Sequence, residues 1–326
     1  MKKIVKILFV SVMICIFASP AFSADLSDLQ KHVDTFSEKI SRVLPFNSTI
    51  GLNWSDAYIG QLLSKPPRFG VGFSAGATTM DIKFINELLK EFGTNEVHIP
   101  LLERFGFPIP AYTVEGRIGG FVLPFDIGVK IGYLPGLNIF DMKLDYLLVG
   151  ADFRYALIDS KLFPLKLSVG VGYNYLSGGI SRDIPGQSFS FNSYGITAGS
   201  SNLGFLWGTS TVELKVQVSY PVFFITPYAG VGASYAWTHA GYKVDSDSDL
   251  AISGGALDQF IKDVEKDLGI NASKNGFESI VNNANFNIRA FGGLSFNMAV
   301  VRLDLTAMYN ILGGNFGASL GLRFQL

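Results

Sequence analysis

Thiols are missing from this chain once its leader is gone. The single cysteine, Cys15, lies in an N-terminal stretch with a basic n-region (Lys2, Lys3, Lys6), an apolar h-region (Ile7 to Ala18) and a small-x-small site, Ala21-Phe22-Ser23, before Ala24. That is the pattern of a secretory signal peptide over residues 1–23. Val12, Met13 and Ile14 make a poor lipobox ahead of Cys15, so lipidation is not expected. Without cysteine the mature chain has no disulfide, no thiol chemistry and no Cys-based metal site. Histidine is nearly as scarce: His32, His98 and His239 are scattered and form no metal motif, and no cofactor is expected. Charge is sparse at 16% of residues. Removing the leader's three lysines leaves 23 basic against 27 acidic residues, a net charge of −4, which gives no whole-chain footprint for nucleic acid. No run after the leader is long and apolar enough for a membrane-spanning helix. Yet 36 glycines, 28 phenylalanines and a mean hydropathy of +0.31 mark a strongly apolar chain. Apolar without spanning helices fits a barrel whose outer face meets lipid.

Residues 24–67 read as an N-terminal periplasmic or plug segment. Leu26, Leu29, Val33, Phe36, Ile40 and Val43 fall at three-four spacing and predict an amphipathic helix over Ala24 to Leu44. Phe46 to Pro67 is irregular, with a hard break at Pro66-Pro67. From residue 68 to 326 the period changes to two, and ten strands follow. They are Arg68 to Thr79, Ala111 to Phe121, Asp126 to Leu134, Leu144 to Leu157, Pro164 to Leu176, Leu206 to Tyr220, Phe224 to Thr238, Asn285 to Asn297, Val300 to Ile311 and Asn315 to Leu326. Between them, Asp81 to Phe92 has a helical face, and Pro100, Pro108 and Pro110 carry a loop. Residues 177–205 read as a long polar loop, and 239–284 as a second, with a helical pattern at Leu257, Phe260, Ile261, Val264 and Leu268.

The last strand is apolar at Phe316, Ala318, Leu320, Leu322, Phe324 and Leu326 and small or polar between them. It resembles the C-terminal strand of bacterial outer-membrane β-barrels, although the usual final Phe is here Leu326. The resemblance implies an all-β fold, a transmembrane antiparallel up-and-down barrel in outer-membrane lipid, whose last strand is read by the barrel-assembly machinery. The connections agree with it: turns after strands 2, 4, 6 and 8 are short, and the long insertions after strands 1, 5 and 7 all lie on the other side. Both termini are then expected in the periplasm. A soluble sandwich would carry polar residues on its outward faces. Here those faces carry Val, Leu, Ile and Phe, with tyrosines and a tryptophan towards the ends.

Gly70-Val71-Gly72, Gly170-Val171-Gly172 and Gly230-Val231-Gly232 look like pieces of phosphate loops. Each lies mid-strand and opens no helix, so the nucleotide reading fails. Charged pairs recur at i, i+2: Glu115/Arg117, Asp152/Arg154, Glu213/Lys215 and Arg302/Asp304, a spacing that puts both members on one inward face. Arg68, Lys130, Lys166, Arg289 and Arg323 share it. Nine basic residues against four acidic make a lumen net positive by about five charges. It reads either as a salt-bridge network that fills a narrow barrel or as an anion-attracting pore. Phe121, Leu134, Tyr146, Leu148, Leu176, Trp207, Tyr228, Phe291 and Met308 also point inward, as core packing or as a path for an apolar compound.

Enzymatic readings find little. Outer-membrane proteases of ten strands use an Asp pair and an Asp-x-His pair, and no histidine here has Asp two residues before it. The Ser/His/Asn site of outer-membrane phospholipases has no visible counterpart either. Asp245, Asp247 and Asp249 begin like a calcium loop but lack its glycine and closing Glu. The expectation is a non-enzymatic outer-membrane barrel, a narrow passive channel for small solutes with a net-positive lumen. A transporter or binder of hydrophobic small molecules and a closed structural or adhesive surface barrel remain as alternatives.

Overall fold

Period-two alternation over most of the chain builds long strands that close on themselves. The computed structural model describes residues 26–64, 67–83, 86, 98–139, 142–159, 164–184 and 186–326. The expected signal peptide and most of the helical pattern expected over Asp81 to Phe92 lie outside these. The strands are β1 (Phe69–Met80), β2 (Phe107–Gly119), β3 (Phe125–Ile139), β4 (Met142–Asp159), β5 (Lys166–Ile184), β6 (Gln187–Phe191), β7 (Tyr194–Ala198), β8 (Ser201–Ser219), β9 (Ile225–Ser246), β10 (Ala251–Ser253), β11 (Asn271–Ser273), β12 (Gly276–Met298), β13 (Val301–Asn310) and β14 (Asn315–Gln325). Ten of them form a closed antiparallel barrel in the order β1-β2-β3-β4-β5-β8-β9-β12-β13-β14, with β14 pairing back to β1. Closure gives every barrel strand a paired neighbour on each side across the lower part of the wall, which is what a sheet needs in hydrocarbon.

Alternation sets the two faces as the sequence predicts. Val71, Phe73, Val114, Val129, Leu214, Val231 and Leu322 stand exposed on the outer wall, while Arg154 and Arg323 are buried inside. A chain with such an outer surface is covered by lipid rather than water. Aromatic residues band its ends: Tyr133, Tyr173, Tyr235, Trp237 and Tyr309 at one level, Phe69, Tyr220, Phe224 and Phe324 at the other.

Two of the expected loops are largely strand. β5 and β8 continue their ladder from Gly178↔Trp207 up to Ile184↔Ser201. β9 and β12 stay paired as far as Gly276↔Asp245. The Gly-, Ser- and Asn-rich composition suggested turns, but Ile180, Phe205, Tyr242, Val244 and Phe277 are buried and supply a core that holds these extensions straight. The barrel wall is therefore uneven. β12 has 23 residues, roughly 75 Å at strand rise, against 10 in β13 and 11 in β14. Above the membrane the tall wall is capped by the sheet of β6, β7 and β10 and by a helix at Leu257–Leu268, whose Phe260 and Val264 are buried against Phe191 and Ile196.

The first helix, α1 (Leu26–Asn47), lies inside the barrel. Near its start Gln30 donates to Ser279 Oγ at 2.7 Å and accepts from the Tyr242 hydroxyl. At its end Asn47 donates to Thr78 Oγ1 and to the Ile109 carbonyl, both at 2.9 Å. The chain then runs down the lumen to Gly60, against Gly119, at the short-turn end where β1 begins. The described N-terminal residues thus sit at the long-loop end and Gln325 at the short-turn end. The segment ahead of β1 therefore threads the barrel instead of resting at its mouth.

Candidate functional site: a plugged lumen and an apolar cavity

An irregular segment inside a barrel brings backbone carbonyls that have no ladder to join, and buried carbonyls need donors. The inward cations supply them. Lys130 Nζ donates to the carbonyls of Ser48 at 2.8 Å and Ile50 at 2.6 Å. Arg154 Nη1 donates to the Asp56 carbonyl at 2.6 Å, and Gln217 Nε2 to that of Trp54 at 2.8 Å. Arg289 reaches Asn53 Oδ1 at 3.1 Å while pairing with Glu213 at 2.5 Å. Around these the wall charges pair with one another: Arg117 with Asp126 at 2.5 Å and Asp152 at 2.6 Å, Arg154 with Asp126 at 2.8 Å, and Lys215 with Asp152 at 2.7 Å.

Two plug side chains lock into this layer. Trp54 donates its indole N–H to Glu115 at 2.6 Å, and its ring lies between the guanidiniums of Arg117 and Arg323, at 5.4 Å and 4.7 Å. Asp56 bridges Arg302 at 2.6 Å and Arg323 at 2.8 Å, and Arg323 also pairs with Asp304 at 2.7 Å. Burial alone would raise the Asp56 carboxyl; the charges and hydrogen bonds of Arg323 and Arg302 outweigh it and hold the group well below the usual carboxylate range. The plug can pass so close to the wall because Gly51 has φ +88° and no side chain. A Cβ there would lie 2.5 Å from Thr113 Oγ1 and 2.8 Å from Glu115 Oε1.

Glu115, Arg117, Lys130, Asp152, Arg154, Glu213, Lys215, Arg289, Asp304 and Arg323 therefore form one buried cluster, with Arg302 half-buried at its edge. Three other positions do not join it. Arg68 lies half-buried at the start of β1 with its stem against Gly60. Lys166 pairs with Asp159 at the rim. Phe121 is 60% exposed, because the strand ends at Gly119 and the alternation ends with it. The strongly positive lumen is corrected too. Asp126 on the wall and Asp56 on the plug enter the balance, which becomes seven cations (Arg117, Lys130, Arg154, Lys215, Arg289, Arg302, Arg323) against six carboxylates. Asp126 stands at the first residue of its expected strand, where alternation has no neighbour to mark its face, and Asp56 and Trp54 lie in a stretch with no period to mark theirs. One pocket in this layer, between Thr49, Gly51, Lys130 and Glu213, has a volume of about 10 Å³, the limit for one water molecule.

Above the charged layer the lumen turns apolar. Phe46, Ile50, Ala111, Tyr228, Phe291 and Met308 pack together. Beside them is a cavity of about 270 Å³, just below the size of many small-molecule sites. Ile40 and Leu44 of α1 form one side; Ala111, Tyr146, Leu176 and Trp207 form the other. Asn47, the tyrosine hydroxyls and the Trp207 indole N–H are its polar side-chain groups, and Asn47 is already engaged. Such a space suits an uncharged apolar body and offers no charge to a hydrophilic one.

No curated protein matches the chain. Solved structures to which the chain is similar include bacterial outer-membrane barrels. The outer membrane protease OmpT from Escherichia coli has 10% identity and a TM-score of 0.39, over 81% of this chain and 99% of that one. The translocator domain of the autotransporter NalP from Neisseria meningitidis has 10% identity and a TM-score of 0.33, over 92% and 98%. The toluene transporter TbuX from Ralstonia pickettii has 9% identity and a TM-score of 0.25, over 79% and 89%. A family model described as Lsa36-like matches residues 119–326, from the end of β2 through β14. That is more than half of the sequence, and the chain belongs to the Lsa36-like family.

Proposed function

We propose that this outer-membrane barrel is closed to ions and hydrophilic solutes and binds an apolar small molecule in the long-loop half of its lumen. The observation that carries the reading is the pairing of a sealed charged layer with an apolar cavity directly above it. A passive channel needs a continuous wet path, and the segment from Ser48 to Gly60 fills the place where one would run. On this reading the barrel has no catalytic role. Its partners are outer-membrane lipid, the apolar ligand, and the assembly machinery that takes β14.

Trp207 makes the test direct because it lines the cavity. In a Trp237→Phe background, which removes the lipid-facing tryptophan, a long-chain alcohol brominated at its tail should quench Trp207 saturably. Ala111→Phe, which fills the cavity, should weaken that binding at least tenfold. Planar bilayers holding the intact protein should show no steady current. Non-saturable quenching that Ala111→Phe leaves unchanged would overturn the binding site, and a steady anion-preferring conductance would restore the channel. Should the cavity refuse every apolar probe, the closed surface barrel is the reading left, supported by the tall wall and its own core.

A further inference from the structure

The barrel wall is not sealed along its whole height. The ladder between β2 and β3 runs from Gly119↔Asp126 to Val114↔Ile131 and stops there. Above that point β2 continues on β1 as far as Met80↔Phe107, and β3 continues on β4 as far as Ile139↔Met142. Two strands that should be neighbours rise side by side without a backbone pair between them.

The sequence gives the cause. A Cβ on Gly132 would lie 2.1 Å from the Tyr112 carbonyl oxygen, so Tyr112 turns its backbone polar groups towards β3. By strand alternation Pro110 and Pro108 turn theirs the same way, and proline has no N–H to donate. On the facing strand the register shifts between Leu134 and Leu137, around Pro135-Gly136. Prolines belong on edges, and here three of them make an edge inside a closed barrel.

The cavity reaches this seam. Its lining includes Ala75, Pro110 and Tyr112, which alternate onto the lipid face, beside Leu134, Tyr146 and Trp207 from the lumen face. The rings of Tyr112 and Tyr146 approach to 5.6 Å although they spring from opposite faces of the wall. A side-chain hydrogen bond also spans the gap: the Tyr112 hydroxyl donates to the Tyr133 carbonyl at 2.6 Å. Tyr133 is 61% exposed and stands in the aromatic band at the long-loop edge of the membrane. We infer that the cavity exchanges its ligand sideways, between β2 and β3, with the lipid leaflet at the long-loop end, and that the Tyr112–Tyr133 contact latches this portal. The ligand is an uncharged, lipid-soluble molecule, because one that passes through hydrocarbon carries no charge. The inference rests on the apolar-ligand reading above.

The mature chain has no cysteine, so a disulfide can be placed without competition. The β2–β3 register, extended upward, sets Tyr112 opposite Tyr133. Tyr112→Cys/Tyr133→Cys, in the Trp237→Phe background and in phosphatidylcholine vesicles, is mixed with vesicles carrying the brominated alcohol. Quenching of Trp207 is followed in time. With the disulfide formed, transfer should slow at least tenfold relative to the reduced protein, with the final extent of quenching unchanged. Pro108→Thr/Pro110→Thr restores two donors and should slow transfer without any thiol. Heat-modifiable gel mobility checks that each barrel is folded. Equal rates in oxidised and reduced protein, and in the threonine variant, would overturn the portal while leaving the cavity. Absence of saturable quenching in every form would overturn the cavity and the portal together.

Discussion

Asp56 ties the plug to two strands at once. Its carboxylate meets Arg302 of β13 and Arg323 of β14, and its own side chain is only 17% exposed. Removing one partner from a buried pair leaves the others poorly compensated, so Asp56→Asn should cost about 2 kcal/mol. The pH dependence has a definite sign. A carboxyl held below its unfolded value adds stability that is complete above the unfolded pKa, about 3.9, and is lost only as pH falls through the folded value. The gap between wild type and Asp56→Asn in urea midpoint, followed by tryptophan fluorescence, should therefore be the same at neutral and mildly acid pH. It should close only in strong acid. A gap that widened on acidification would contradict the pairing.

At the scale of elements, the wall was readable and the plug was not. A strand in a barrel repeats one decision every two residues, so Val71, Phe73, Arg117 and Arg154 declare their faces from sequence alone. The same rule grouped the inward charges. It could not show what they hold, since the segment from Ser48 to Ser64 has no period and several of its hydrogen bonds run through main-chain carbonyls that carry no side-chain signal. A count of inward charges thus leaves a filling salt-bridge network and a pore side by side, and the structure shows seven cations serving as donors and ion-pair partners. The seam between β2 and β3 was hidden for a related reason: Pro108 and Pro110 read as loop residues, and only the register shows them on a strand. The plug's fit can be tested through Gly51. A Cβ there meets Thr113 and Glu115, and the φ of +88° is strained for any branched residue. Gly51→Val should loosen the plug and convert a silent barrel into one with brief, irregular current steps in planar bilayers. A folded Gly51→Val barrel as silent as wild type would show that the wall alone closes the lumen.

The molecule as a whole has a direction. Strands β1 and β14 place Phe69 and Gln325 at the short-turn end, while Gln30 of α1 meets Tyr242 and Ser279 at the far end of β9 and β12. In barrels of this class the short turns face the periplasm and the long connections face outward. With that orientation Gln325 is expected at the periplasmic end of the barrel and Gln30 of α1 at its outer end. This makes an asymmetric prediction for intact cells. An epitope inserted ahead of Leu26, after the leader, should be labelled by an antibody without permeabilisation, whereas the same epitope after Leu326 should need the outer membrane opened. An insertion in the loop between β10 and the Leu257–Leu268 helix serves as a surface control, since that connection lies at the long-loop end. Labelling of both ends only after permeabilisation would mean that α1 does not occupy the lumen in the membrane. The carbonyls of Ser48, Ile50 and Trp54 would then lose their donors, Lys130 and Arg289 would face an aqueous lumen, and the barrel would conduct. Surface labelling and silence in the bilayer therefore stand or fall together, because the same threaded segment produces both.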